Sequence, residues 1–117
     1  MYTTPQALIP APGAGKAIAI EAVSTALTYA SAAFATNTDL YINYDSSAGD
    51  GGGANALTAA IDAILLKTAN EVSISRPQVD EVTLVQNKGI SAKVGTGNPT
   101  AWGGTLKITI FYRIITL

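Results

Sequence analysis

Residues 105–116 constrain the fold of this chain most. Leu106, Ile108, Ile110, Tyr112 and Ile114 alternate there with Thr105, Lys107, Thr109, Phe111 and Arg113. A period of two puts each set on its own face of a strand; a helix would scatter both sets around its axis. At twelve residues this strand exceeds the usual five or six. Its apolar row needs an opposing layer to cover it. At 117 residues the chain has room for one domain that supplies that layer.

Other segments fit an antiparallel design. Leu40-Tyr41-Ile42-Asn43-Tyr44 sends Leu40, Ile42 and Tyr44 to one face. Residues 16–24 read as a strand that resumes over 26–30 after a bend at Ser24-Thr25. The Ala-rich run 30–35 is ambiguous, because Ala favours helix. Residues 71–76 and 81–86 alternate, and Asn87-Lys88-Gly89 reads as a tight turn returning 90–94 as the hairpin partner of 81–86. Residues 45–53 hold four of the eleven glycines and read as a loop. Asn55 reads as an N-cap, and Leu57, Ala60, Ile61, Ile64 and Leu65 follow at helical spacing, so one helix is expected over 56–68. The expected fold is all-β with one short helix: an antiparallel β-sandwich, jelly-roll-like.

The N-terminus is different. Pro5, Pro10 and Pro12 fall within eight residues, which forbids a helix and disrupts a central strand. Ala7-Leu8-Ile9 between them is apolar. Residues 1–15 are therefore expected to be an extended arm, lying on its own sheet edge or on a neighbouring subunit, and 16–117 a single sandwich domain.

Composition narrows the function. The chain has no His and no Cys, which removes the commonest general base, thiolate chemistry and disulfides. A net charge of −1 gives no footprint for nucleic acid. Only 13% of residues are charged, against about 25% in ordinary soluble domains. Fourteen Thr, seven Ser and six Asn make up part of the difference, and surface covered by partner subunits is expected to account for the rest. The longest low-polarity stretch, 17–35, is interrupted by Glu21, Ser24, Thr25, Thr28 and Ser31, so no membrane span is expected. No secretory signal is expected either, since the start lacks a basic region and a clean apolar run.

Candidate chemistry is thin. Gly13-Ala14-Gly15-Lys16 resembles the end of a phosphate-binding loop, but Pro10 stands where the motif needs Gly and Ala17 where it needs a hydroxyl. Asp39, Asp45 and Asp50 flank the glycine loop without the spacing of a Ca²⁺ loop. Asp80 and Glu81 are adjacent, so on a strand they face opposite sides and cannot share a substrate. Tyr41, Tyr44 and Trp102 are candidates for stacking on a sugar, but Tyr41 and Tyr44 differ by an odd number and face opposite ways. No enzymatic activity and no cofactor are expected.

Two segments carry a family resemblance. Leu8-Ile9-Pro10-Ala11-Pro12-Gly13-Ala14-Gly15-Lys16 leads into a strand, then Tyr29-Ala30 and Ala35-Thr36-Asn37-Thr38-Asp39-Leu40. Near the C-terminus stand Asn98-Pro99-Thr100 and Gly103-Gly104-Thr105-Leu106-Lys107-Ile108, followed by Tyr112-Arg113-Ile114. Together they resemble small virion structural proteins of tailed bacteriophages. The resemblance implies a capsid decoration (cement) or head-fibre component, made in the host cytoplasm and located in the virion. It implies a homo-oligomer, with a trimer favoured, that contacts the major capsid protein or another virion protein. A host-recognition or glycan-binding module of the virion is the alternative. The expected interface residues are Leu8, Ile9, Pro10, Trp102, Phe111 and Tyr112.

Overall fold

The computed structural model describes residues 5–33, 40–44, 64–76, 84–95, 100 and 103–117. They form six strands: β1 (Gln6–Ile9), β2 (Lys16–Ala32), β3 (Leu40–Tyr44), β4 (Glu71–Ser75), β5 (Ile90–Val94) and β6 (Gly103–Thr116). One antiparallel sheet has the order β1-β5-β3 and the other β4-β2-β6. Their facing sides share one core: Ile18, Ile20, Val23 and Leu27 from β2, Leu40, Ile42 and Tyr44 from β3, and Ile90, Ala92 and Val94 from β5, joined by Ile64 and Leu65. The expected antiparallel β-sandwich is what forms. A jelly roll has eight strands, and the described residues supply six.

The long β2 tracks β6 with two irregularities. Ile20 pairs with Tyr112 and Ala22 with Phe111, so Glu21 is an extra residue in the ladder. A bulge of this kind reverses which parity faces the core. Ile18 and Ile20 are buried before it, and Val23, Thr25 and Leu27 after it. The expected bend at Ser24-Thr25 is absent, because both residues stay paired to β4 and β6. The second irregularity falls between Tyr29 and Ala32.

The expected hairpin of 81–86 with 90–94 is not formed. Residues 81–83 lie outside the described residues. Leu84 and Val85 are not in a strand, and Gln86 makes a single antiparallel bridge to Ala17. Both edges of β5 are already occupied, by β1 and β3, and all five of its residues are buried. A strand paired on both edges has no ladder left for a hairpin partner. Asn87 does adopt a left-handed conformation, with φ 52°, but it serves another contact. Its backbone N–H donates to Lys16 O (2.8 Å), and its side-chain oxygen accepts from Gly13 N–H (3.0 Å).

The expected helix lies mostly outside the described residues. Its last part is one 3₁₀ turn at Ile64–Leu66, and Lys67 and Thr68 are not helical. This turn buries Ile64 and Leu65 in the core.

The proline arm takes its own sheet edge. β1 is bracketed by Pro5 and Pro10 and pairs with β5. Ala7 pairs with Ser91 and Ile9 with Ile90, so Leu8 is the extra residue and both Leu8 and Ile9 pack against the core. An edge strand is where prolines are tolerated, since one side makes no ladder.

Tyr44 ties the two sheets together. Its hydroxyl is buried and donates to Ile18 O at 2.6 Å. Burial raises its pKa above the ordinary 10.0, and a backbone hydrogen bond with Val85 acts in the opposite direction. A raised folded-state value favours the protonated phenol. The resulting stability is present below the unfolded value and is lost as pH rises through 10 toward the folded one. Wild type should therefore lose stability more steeply above pH 10 than Tyr44→Phe, which should itself be about 1–2 kcal/mol less stable at pH 7. Urea melts at several pH values measure both; parallel profiles would contradict the assignment.

Candidate functional site

Strand β4 runs against the usual pattern. Its apolar Val72 and Ile74 are 72% and 65% exposed. Register explains why. Glu71 pairs with Leu27, Ser73 with Thr25 and Ser75 with Val23, all on the inward face of β2. Val72 and Ile74 pair with Ala26 and Ser24, on the outward face. A slip of one residue would turn the apolar pair inward. Polar contacts oppose that slip. Thr25 Oγ1 and Ser73 Oγ share a hydrogen bond of 3.0 Å, and Tyr29 N–H donates to Asn70 Oδ1 at 2.9 Å. In this register the buried Thr25 has its hydroxyl satisfied by Ser73.

The same outer face continues across the sheet. Ala22, Ser24 and Ala26 of β2 separate the β4 pair from Phe111, Thr109 and Lys107 of β6. The middle of the face is therefore low, with Val72 and Ile74 raised on one side and Phe111, 51% exposed, on the other. Arg113 lies beyond Phe111 and is exposed. It binds Glu21 within the chain, at 2.6 Å from Nε to Oε1, so the bulge residue supplies its counter-ion. Both groups are largely solvated, and such pairs contribute about 0–1 kcal/mol.

The inward row of β6 is only partly covered. Leu106, Ile108 and Ile110 pack against the core, while Tyr112 and Ile114, opposite Ile20 and Ile18, stay exposed. The cause is length. β2 and β6 have 17 and 14 residues, whereas β1, β3 and β5 have four or five, too few to cover them end to end. Between β1 and β6 this leaves an open cleft of about 360 Å³, lined by Leu8, Ile9, Pro10, Ile108, Ile110 and Tyr112. The second edge of β6 pairs with no described strand.

Four of the expected interface residues, Leu8, Ile9, Pro10 and Tyr112, thus meet at one cleft. Phe111 is on the opposite face of β6, and Trp102 lies outside the described residues. Asp39, Asp45, Asp50, Asp80 and Glu81 lie outside them too. Comparison with known protein families, with curated proteins and with solved structures finds no match.

The remaining candidates resolve by geometry. The phosphate-loop fragment is a structural turn. Gly13 and Gly15 have φ of 101° and 73°, which only Gly adopts without strain. Gly13 N–H is taken by Asn87, and Gly15 O accepts from Leu117 N–H at 2.8 Å. Tyr44 is buried in the core and Tyr41 is on the other face of β3, so the two form no joint stacking surface. Sequence reasoning missed Val72 and Ile74. Nothing within 71–76 marks them as outward; the cue is Thr25 in the apolar row of β2, which calls for a polar partner.

Proposed function

We propose that this chain is a structural subunit of a bacteriophage virion, a capsid decoration or head-fibre component that works by assembling with copies of itself on the particle. The observation that carries the reading is the outer face of β4-β2-β6, where Val72, Ile74 and Phe111 stand exposed in a chain with little surface charge. Large apolar side chains exposed together on one sheet face support an interface there. The resemblance of its two terminal segments to small virion proteins supports the particle as its setting.

Three side chains do not make a stable interface of about 800 Å² per partner. The edge of β6 that pairs with no described strand and the exposed Tyr112, Ile114 and Leu117 extend the surface. An edge strand of 14 residues with apolar side chains is a template for pairing with a second copy. Many weak contacts on a symmetric lattice then add through avidity.

Sedimentation equilibrium at micromolar concentration should show an oligomer, with a trimer favoured. Val72→Lys/Ile74→Lys and Phe111→Asp should each shift it to monomer with an unchanged far-ultraviolet spectrum. Wild type should also co-sediment with purified particles. A wild-type monomer that stays in the supernatant would sink the proposal.

A further inference from the structure

The outer face of β3-β5 holds a polar group that the fold does not otherwise use. Lys93 is 1% exposed, and its Nζ is shielded from solvent with no hydrogen-bond partner among the described residues. The ion pairs of the described residues are Lys67 with Glu71 and Arg113 with Glu21, and neither involves Lys93. An ammonium group buried in this way is costly unless it is paired or loses its charge.

Register places a reaction partner beside it. Tyr41 pairs with Lys93 and Asn43 with Ser91. These four residues therefore share one face, opposite the core-facing Ile42 and Ala92. Asn43 and Lys93 are diagonal neighbours across adjacent strands, with a Cβ separation of about 7–8 Å or somewhat less. The four-carbon stem of lysine is long enough to span that gap, although Nζ and Asn43 Oδ1 do not hydrogen-bond to each other. Asn43 is also 1% exposed and Ser91 3%, so the pair is held out of water.

We propose that Lys93 and Asn43 join in an isopeptide bond that cross-links β5 to β3. The Nζ lone pair attacks Cγ of Asn43, forming the Nζ–Cγ bond. The Cγ–Nδ2 bond breaks, one Nζ proton passes to the departing nitrogen, and ammonia leaves. Starting from the ammonium form, the extra proton leaves with it as ammonium. No oxidant, water or cofactor is consumed. The product is a neutral secondary amide, which removes the buried charge. In a chain without cysteine it closes the long loop between β3 and β5 as a disulfide would.

The test is the intact mass of the purified full chain. Wild type should be lighter than its sequence by about 17 Da, the mass of one ammonia. Trypsin does not cut at an acylated lysine, so residues 89–107 should appear as one piece joined to residues 17–67. Lys93→Arg keeps the charge and the length but not the nucleophilic amine, and should restore the full mass, as should Asn43→Ala. A wild type at full mass overturns the proposal. So does a loss of ammonia that persists in Lys93→Arg or maps to other residues. The decisive reading is on wild type, so it stands even where a variant fails to fold.

Discussion

Gly89→Ala is expected to unfasten β1 from the sheet and to cost about 2–4 kcal/mol of stability. A Cβ at position 89 would lie 2.5 Å from Ile9 O, 3.2 Å from Ala11 N and 3.3 Å from Pro10 C. All three are backbone atoms, so no rotamer change makes room. The arm between Pro10 and Pro12 is stiff and cannot bow outward locally. The whole edge strand has to shift, and Leu8 and Ile9 leave the core with it. Urea denaturation measures the loss. Hydrogen exchange at residues 6–9 should rise selectively while β2 and β6 stay protected. Unchanged stability and unchanged exchange would show that the arm is not seated on Gly89.

Ile42→Ala should cost about 3–4 kcal/mol. Ile42 is fully buried at the centre of β3, in register with Ala92 of β5. Its neighbours Leu40 and Tyr44 are fixed in the same five-residue strand, and the facing Val23 and Leu27 belong to a continuous ladder. The cavity can therefore collapse only in part. A loss of this size is a large share of a typical total of 5–15 kcal/mol, so the denaturation midpoint should fall sharply. A loss below about 1 kcal/mol would mean that the two sheets do not pack through Ile42.

The strands of this protein were readable wherever one face met the core and the other did not. Residues 105–110 show it, because period-two alternation reports a half-buried strand directly; in 40–44 the row Leu40, Ile42 and Tyr44 marks the core face, while Asn43 on the other face is buried as well. The bulge at Glu21 was also written in the chain, as the switch from Ile18 and Ile20 to Val23 and Leu27. It went unread because a single strand does not show whether a change of parity is a bend or an inserted residue; the partner's register shows that. The hairpin at Asn87 failed for a related reason. Asn-Lys-Gly has the chemistry of a turn, and Asn87 does turn, but tertiary contacts with Gly13 and Lys16 use that conformation to lock the start of β2.

The sites divide in the same way. The apolar arm could be seen from its prolines, and in the folded chain it lies along its own sheet edge, on β5. The outward Val72 and Ile74 and the buried Lys93 could not be seen. A lone lysine in Ile-Ser-Ala-Lys-Val reads as a solvated strand face, and alternating Val and Ile read as core.

By itself, then, the sequence determined the class of this protein: all-β, without thiol or imidazole chemistry, with an extended apolar arm. These are local properties, carried by side-chain period and residue type. Tertiary structure alone decided the partners of each strand and which face each one buries. Pairing joins residues as far apart as Lys16 and Thr116, and a shift of one residue reverses both faces of a strand. That choice leaves Val72 and Ile74 outside and seals Lys93 within.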